Sequence, residues 1–113
     1  MDDAQLNEAV ARKLGYVIYE TNTYAGGTAR YAKSVKETFE IPDYATSIAA
    51  AWEVVEHLKN HAIALTSHTQ PPHGWSCAIW SPMTEDPDVV ERADTAPRAI
   101  CEAFLKLDVT AIP

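Results

Sequence analysis

Residues 75–80 read Trp-Ser-Cys-Ala-Ile-Trp, a short run with no charge and with bulky apolar side chains at both ends. Bounded by Pro71-Pro72 and Gly74 before it and Pro82 after it, the run reads as a β-strand. Side chains alternate across a strand, so Trp75, Cys77 and Ile79 take one face and Ala78 and Trp80 the other. A strand apolar on both faces is ordinarily covered on both. The chain is therefore expected to place a sheet between helix layers, or to leave one sheet face to a neighbouring subunit.

The helices for such layers are legible. Leu6, Ala9, Val10 and Leu14 recur at helical spacing, with Gln5, Asn7, Glu8, Arg12 and Lys13 on the wet side. Asp2 or Asp3 can cap this helix, and Gly15 stands where a left-handed C-terminal cap belongs. A second helix, 49–58, follows Thr46 or Ser47, with Ile48, Ala51, Trp52, Val55 and Leu58 as its apolar stripe. A third follows Thr95, carries Pro97 in its first turn and buries Ala96, Ala99, Ile100, Ala103, Phe104 and Leu107. Tyr16–Glu20 and Ala62–Ser67 read as strands, the second forming a long-looped hairpin with Trp75–Trp80. Residues 29–39 fit helix or strand, until Pro42 ends whatever precedes it. Residues 81–92, with Pro82, Pro87 and several acids, read as an exposed loop. The mixture of helices with a hairpin predicts an α+β class, built as a small layered αβα sandwich with about three helices and an antiparallel or mixed sheet. At 113 residues the expectation is one domain, 1–113.

Composition narrows the functions. The net charge is −7, with 16 acidic and 9 basic residues, which argues against sequence-independent binding to duplex nucleic acid and against docking on anionic membranes. No apolar run approaches 18 residues, and Met1-Asp2-Asp3 lacks the positive, then apolar, start of a secretory signal. Cys77 and Cys101 sit among apolar residues and are too few for a disulfide framework. A reduced, cytoplasmic protein is expected.

Three stretches together resemble the phage ABA-sandwich domain, a family of small phage and prophage proteins. They are LNEAVARKLGY at 6–16, PDYATSIAAAWEVVEHL at 42–58, and GWSCAIW at 74–80 followed by ADTAPRAICEAFL at 93–105. The resemblance implies an αβα layered fold with Trp52 in the core, a phage origin, and the cytoplasm of the infected bacterium as its place of action. It carries over no shared activity. The segment between Tyr16 and Pro42 lies outside the resemblance, which leaves room there for function specific to this protein.

That segment holds the most suggestive chemistry. Thr21–Lys36 has no acidic residue but contains Arg30, Lys33 and Lys36. Gly26-Gly27 allows close backbone approach, Thr28 offers a hydroxyl, and Arg30 a planar fork for phosphate or carboxylate. Tyr24 and Tyr31 offer flat faces for stacking. The segment has neither Walker nor GxGxxG spacing. The competing reading is a hairpin whose cations balance an acidic surface. His73 could line a pocket mouth and Trp80 could meet a base or a second subunit, although a solvated loop position is the commoner role for the first and a core or interface position for the second. His57 and His61, four apart, could share a helix face and hold a metal, but no further ligands are spaced to complete a site. No catalytic arrangement emerges: neither cysteine has an electropositive setting, Glu53 and Glu56 read as a solvated pair, and no GxSxG elbow occurs.

The expectation is a non-catalytic protein, without cofactor or metal, that sequesters a small anionic ligand of nucleotide type. Tyr24, Gly26, Gly27, Thr28, Arg30, Tyr31, His73 and Trp80 are its candidate contacts, and a homo-oligomer with ligand held between subunits is its expected form. The alternative is an accessory protein that inhibits a host protein through its acidic surface.

Overall fold

The structure, a computed structural model, describes residues 2–22, 26–33 and 38–107. Helix α1 spans Asp3–Lys13 and is fixed at both ends by its own sequence. The Asp2 carboxylate accepts from the Gln5 N–H at 2.8 Å, while the Gln5 side chain accepts from the Asp2 N–H at 3.0 Å, a reciprocal capping box. At the far end Gly15 adopts φ +102°; its N–H donates to Arg12 at 3.0 Å and that of Tyr16 to Ala11 at 3.1 Å, a Schellman closure. The buried face is Leu6, Asn7, Val10 and Ala11. Asn7, expected on the wet side, is only 7% exposed. Its amide donates to Asp43 Oδ1 at 3.1 Å and its carbonyl accepts from the Ala45 N–H at 2.8 Å, so its polarity is satisfied inside.

In the segment that fitted helix or strand, the described residues, 29–33 and 38–39, are strand. β1 (Val17–Asn22), β2 (Thr28–Lys33) and β3 (Thr38–Glu40) form one antiparallel sheet in the order β1-β2-β3. Ile18, Ala32 and Phe39 are in register on the face toward α1, which explains why residues spaced for a helix also suit a pleat. Phe39 meets Tyr16 edge to face, with ring centroids 5.0 Å apart.

α2 (Ile48–His57) is capped by Ser47, whose hydroxyl accepts from the Ala50 N–H. Its buried face differs from the expected stripe. Ala51, Val54 and Leu58 are buried, whereas Ile48 and Trp52 are each 50% exposed. Trp52 is thus not a core residue. The small Ala51, fully buried, faces the interior and allows close approach between helices, while the large indole stays at the edge.

β4 (Ala62–His68), β5 (Gly74–Trp80) and β6 (Val89–Ala93) form the second antiparallel sheet, with β5 central. The β4–β5 hairpin pairs Ala62 with Trp80 and His68 with Gly74. β6 corrects the reading of 81–92 as loop: Val89, Glu91 and Ala93 pair opposite Ile79, Cys77 and Trp75. Its prolines and acids belong to the turn before it, and its own five residues, VVERA, are too short a run to announce a strand.

α3 (Ala96–Lys106) is the hub. Capped by Thr95, it buries Pro97, Ala99, Ile100, Cys101, Ala103 and Phe104. It packs on all three strands of the second sheet and on α1 and α2. Lys13 of α1 caps its C-terminal end, donating from Nζ to the carbonyls of Phe104 at 2.5 Å, Leu105 at 3.1 Å and Leu107. These carbonyls have no helical partner and carry the negative end of the helix dipole. Arg98 reaches back to Asp3 at 2.8 Å, so α1 and α3 are tied at both ends.

The result is an α+β layered fold of three helices and two three-stranded antiparallel sheets. The principal extents are 51 × 38 × 20 Å. The shortest is about what one helix layer on one sheet layer occupies. Accordingly β5 is covered on one face only. Cys77 and Ile79 are buried beneath α3, but Ala62, Ala64, Thr66, Val90 and Arg92 on the other face are exposed, and Ala78 and Trp80 are half-buried. The expected second covering layer is not supplied by any described element.

Candidate functional site

The hairpin β1–β2 carries most of the residues singled out from sequence. Gly26, with φ +84°, and Gly27 lie exposed before Thr28, which opens β2; Tyr24 and Lys36 lie outside the described residues. Arg30 and Tyr31 follow on β2, and because successive strand residues face opposite sides, they point away from each other.

On the α1 side, Arg30 grips Glu8. Its Nε lies 2.6 Å from Oε2 and its Nη2 2.7 Å from Oε1, a bidentate pair, with Glu20 3.8 Å from Nη1. The Arg30 hydrogen bond outweighs desolvation and holds the Glu8 carboxyl below its ordinary range; Glu8 in turn raises Arg30. The fork expected to meet a ligand anion is thus engaged by a carboxylate of the protein. Sequence could not show this, because Glu8 is 22 positions away on the first helix.

On the opposite, solvent-facing side, Tyr31 stacks on Tyr19 of β1, with ring centroids 5.7 Å apart and planes inclined by 29°. Tyr19 is 37% and Val17 65% exposed, and Lys33 shares their face. Glu40 of β3 lies across from Tyr31. An aromatic pair with its outer surface open and a flexible cation alongside can hold a flat ring by stacking and attract an anion attached to it. Tyr19 escaped the sequence reading because it lay in a run assigned to structure; its register opposite Tyr31 is visible only in the sheet.

His73 and Trp80 belong to the second sheet. His73 is exposed in the loop before Gly74, and Trp80 is half-buried at the other end of β5, about 20 Å away along the strand. Trp80 borders a shallow hollow of about 440 Å³ with Asn60, Pro82 and Met83. The structure therefore does not gather the seven candidates among the described residues into one place: Arg30 and Thr28 share one face of β2, Tyr31 takes the other, and His73 and Trp80 lie apart on a different sheet.

His57 and His61 do not share a helix face. α2 ends at His57, and the chain then turns, with the His61 N–H donating to the Leu58 carbonyl at 3.0 Å. Among the described residues no three His, Cys, Asp or Glu side chains are grouped as a metal site would group them. Both cysteines are buried; burial pushes the Cys77 thiol up to about 11 and the Cys101 thiol to about 12. Cys101 donates to the Tyr44 carbonyl at 3.1 Å. Thiols so placed hold almost no thiolate at neutral pH. Among the described residues no helix is long and apolar enough to cross a membrane.

Three helices on two three-stranded antiparallel sheets define a layered α+β domain. The sequence profile of the Phage ABA sandwich domain matches residues 8–105, most of the chain, and the protein belongs to that family; the match runs through 17–41, which corrects the expectation that this segment lies outside it. Comparisons with curated proteins and with solved structures returned no match.

Proposed function

We propose that this phage protein is a non-catalytic binding protein that sequesters a small anionic ligand of nucleotide type, a host defence signal, in the cytoplasm of the infected cell. The observation that supports this reading is the stacked Tyr19–Tyr31 pair on the open face of the first sheet, with Lys33 beside it. A flat base laid on Tyr31 would bring its phosphate toward the Lys33 ammonium. Because Arg30 is engaged by Glu8, the role first given to its guanidinium passes to Lys33, and Arg30 orders β2 against α1. Assembly as a homo-oligomer, with ligand between subunits, is part of the proposal: one subunit leaves the tyrosine face shallow, and a second copy would close it.

The test is retention. The purified protein is incubated with a panel of cyclic and ADP-ribose-type nucleotides, washed, heat-denatured, and the released ligand analysed by mass spectrometry. Recovery of one nucleotide unaltered supports sequestration, and Tyr31→Ala should then abolish retention. Recovery of an altered nucleotide means that the protein is an enzyme. With nothing retained, the second reading takes over: the net charge of −7, with exposed Glu85, Asp86 and Asp88 in one turn, suits a basic host protein as partner.

A further inference from the structure

One end of the second sheet brings a guanidinium and several hydrogen-bond donors together. The β4–β5 ladder closes on the pair His68–Gly74, and the loop between them, 69–73, reads Thr-Gln-Pro-Pro-His, without an acid. Gly74 passes so close to the end of β6 that a Cβ there would stand 2.7 Å from the Ala93 carbonyl oxygen. The loop is thereby held against Arg92, whose Nη2 donates to the Pro72 carbonyl. Between loop and strand lies a hollow of about 360 Å³, lined by His68, Thr69, Gln70 and Arg92 together with Ser67 and the two prolines. His68 is fixed at its rim, with Nε2 3.0 Å from the Ser76 hydroxyl on β5. Arg92 differs from the other three arginines. Arg12 and Arg30 face Glu8, and Arg98 faces Asp3 and Glu102. Among the described residues no carboxylate stands at ion-pair distance from Arg92: its neighbour Glu91 pairs instead with Lys106, and no acid lines the hollow. In a chain with 16 acidic and 9 basic residues, a guanidinium left to a hollow without a carboxylate is a departure.

We infer that this hollow is a binding site for a phosphate group. The Arg92 guanidinium offers a planar fork of N–H donors to two phosphate oxygens. The Thr69 hydroxyl, the Gln70 amide and the His68 imidazole, which line the same hollow, can donate to the others. Donors drawn from both the loop and β6 suit a tetrahedral oxyanion, which accepts from several directions, better than a planar carboxylate, which the fork alone satisfies. The volume falls within the roughly 300–1,000 Å³ of small-molecule sites, so there is room for a group esterified to the phosphate. The site belongs to the second sheet and does not depend on the reading given to the tyrosine face.

The test titrates the protein with inorganic phosphate, with adenosine 5′-monophosphate and with adenosine, against sodium chloride at matched ionic strength. NMR shifts are followed at the amides of Thr69, Gln70 and His73 and at the Arg92 side-chain N–H. Saturable shifts are expected with phosphate and with the monophosphate, and none with adenosine or chloride. Tighter binding of the monophosphate assigns the site to a phosphate ester, and equal binding to the free ion; both support it. Arg92→Gln should weaken phosphate by about tenfold or more, and Arg92→Lys, which keeps the charge but not the fork, should weaken it by a smaller factor. Because Arg92 also holds Pro72, a second variant leaves that contact in place: His68→Phe should weaken phosphate too. Lys59→Gln removes an equal charge elsewhere and should bind as wild type. The inference is overturned if phosphate gives no saturable shift by about 20 mM, or if chloride gives the same shifts. It is equally overturned if Lys59→Gln weakens phosphate as much as Arg92→Gln does, or if Arg92→Gln and His68→Phe both bind as wild type. Tyr31→Ala should leave these shifts unchanged, so loss of this site and loss of the tyrosine face are read separately.

Discussion

Asn7 is the residue whose removal most directly tests how the first helix is locked to the rest of the fold. It is 7% exposed and bridges α1 to the 43–45 turn, accepting from the Ala45 N–H at 2.8 Å and donating to Asp43 at 3.1 Å. Asn7→Ala leaves the buried Ala45 N–H without a partner, which costs about 1–3 kcal/mol, and loses the Asp43 bond, worth about 1 kcal/mol because the exposed carboxylate can rehydrate. The expected loss is about 2–4 kcal/mol. For a chain of 113 residues, with an unfolding entropy near 2.1 cal/mol/K per residue, that is a fall in melting temperature of roughly 8–17 °C. Urea denaturation followed by circular dichroism measures it, with m expected unchanged. Asn7→Asp separates the two bonds. It keeps an acceptor for Ala45 but sets a carboxylate against Asp43, so its carboxyl is raised in the folded state. Its penalty is therefore present at pH 7 and shrinks as the pH falls toward 4. If Asn7→Ala lies within about 0.5 kcal/mol of wild type, the bridge contributes nothing and the reasoning fails.

Gly74 has φ +147°, and a Cβ there would stand 2.7 Å from the Ala93 carbonyl oxygen; Gly74→Ala should lose about 2 kcal/mol or more by urea titration, since both the clash and the backbone must be relieved. Cys77 and Cys101, pushed up to about 11 and about 12, should react with a thiol-specific disulfide reagent at neutral pH only at the rate of unfolding, and rapidly in denaturant. Glu8 is held below its ordinary 4.5 in the folded state, so its stabilisation is present above that value and is lost as pH falls through the folded value. Stability of Glu8→Gln, measured from pH 6 to pH 3, should accordingly fall less steeply than that of wild type.

Much of the fold was legible because its signals are local. The Asp2 box, Gly15, Ser47 and Thr95 each act within three or four residues and mark helix ends without reference to the tertiary structure. What failed depended on partners remote in sequence. Which face of α2 turns inward was decided by how closely Ala51 lets it approach its neighbours, so the expected stripe was wrong at Ile48 and Trp52 and missed Val54. β6 is defined by its pairing to β5 more than by its own composition, and Asn7 is polar in sequence but buried because a turn 36 positions away meets it.

The candidate site was less legible for a related reason. A list of ligand-type residues within ten positions assumes that neighbours in sequence share a surface, and in a β-strand they do not. Arg30 and Tyr31 are one residue apart and face opposite sides of the sheet, so no ligand on one subunit's sheet can use the guanidinium fork and the phenol together. Period two, applied to Thr28–Lys33, would have split the set into Thr28, Arg30 and Ala32 against Ala29, Tyr31 and Lys33. The second set puts an aromatic face beside an exposed cation. The first ends in Ala32, which is fully buried, and in an arginine already held by Glu8. On the proposed reading the Tyr31 side is the face this hairpin offers a ligand, and substitution of Lys33, not of Arg30, is the change that should alter affinity for an anion while leaving the fold intact.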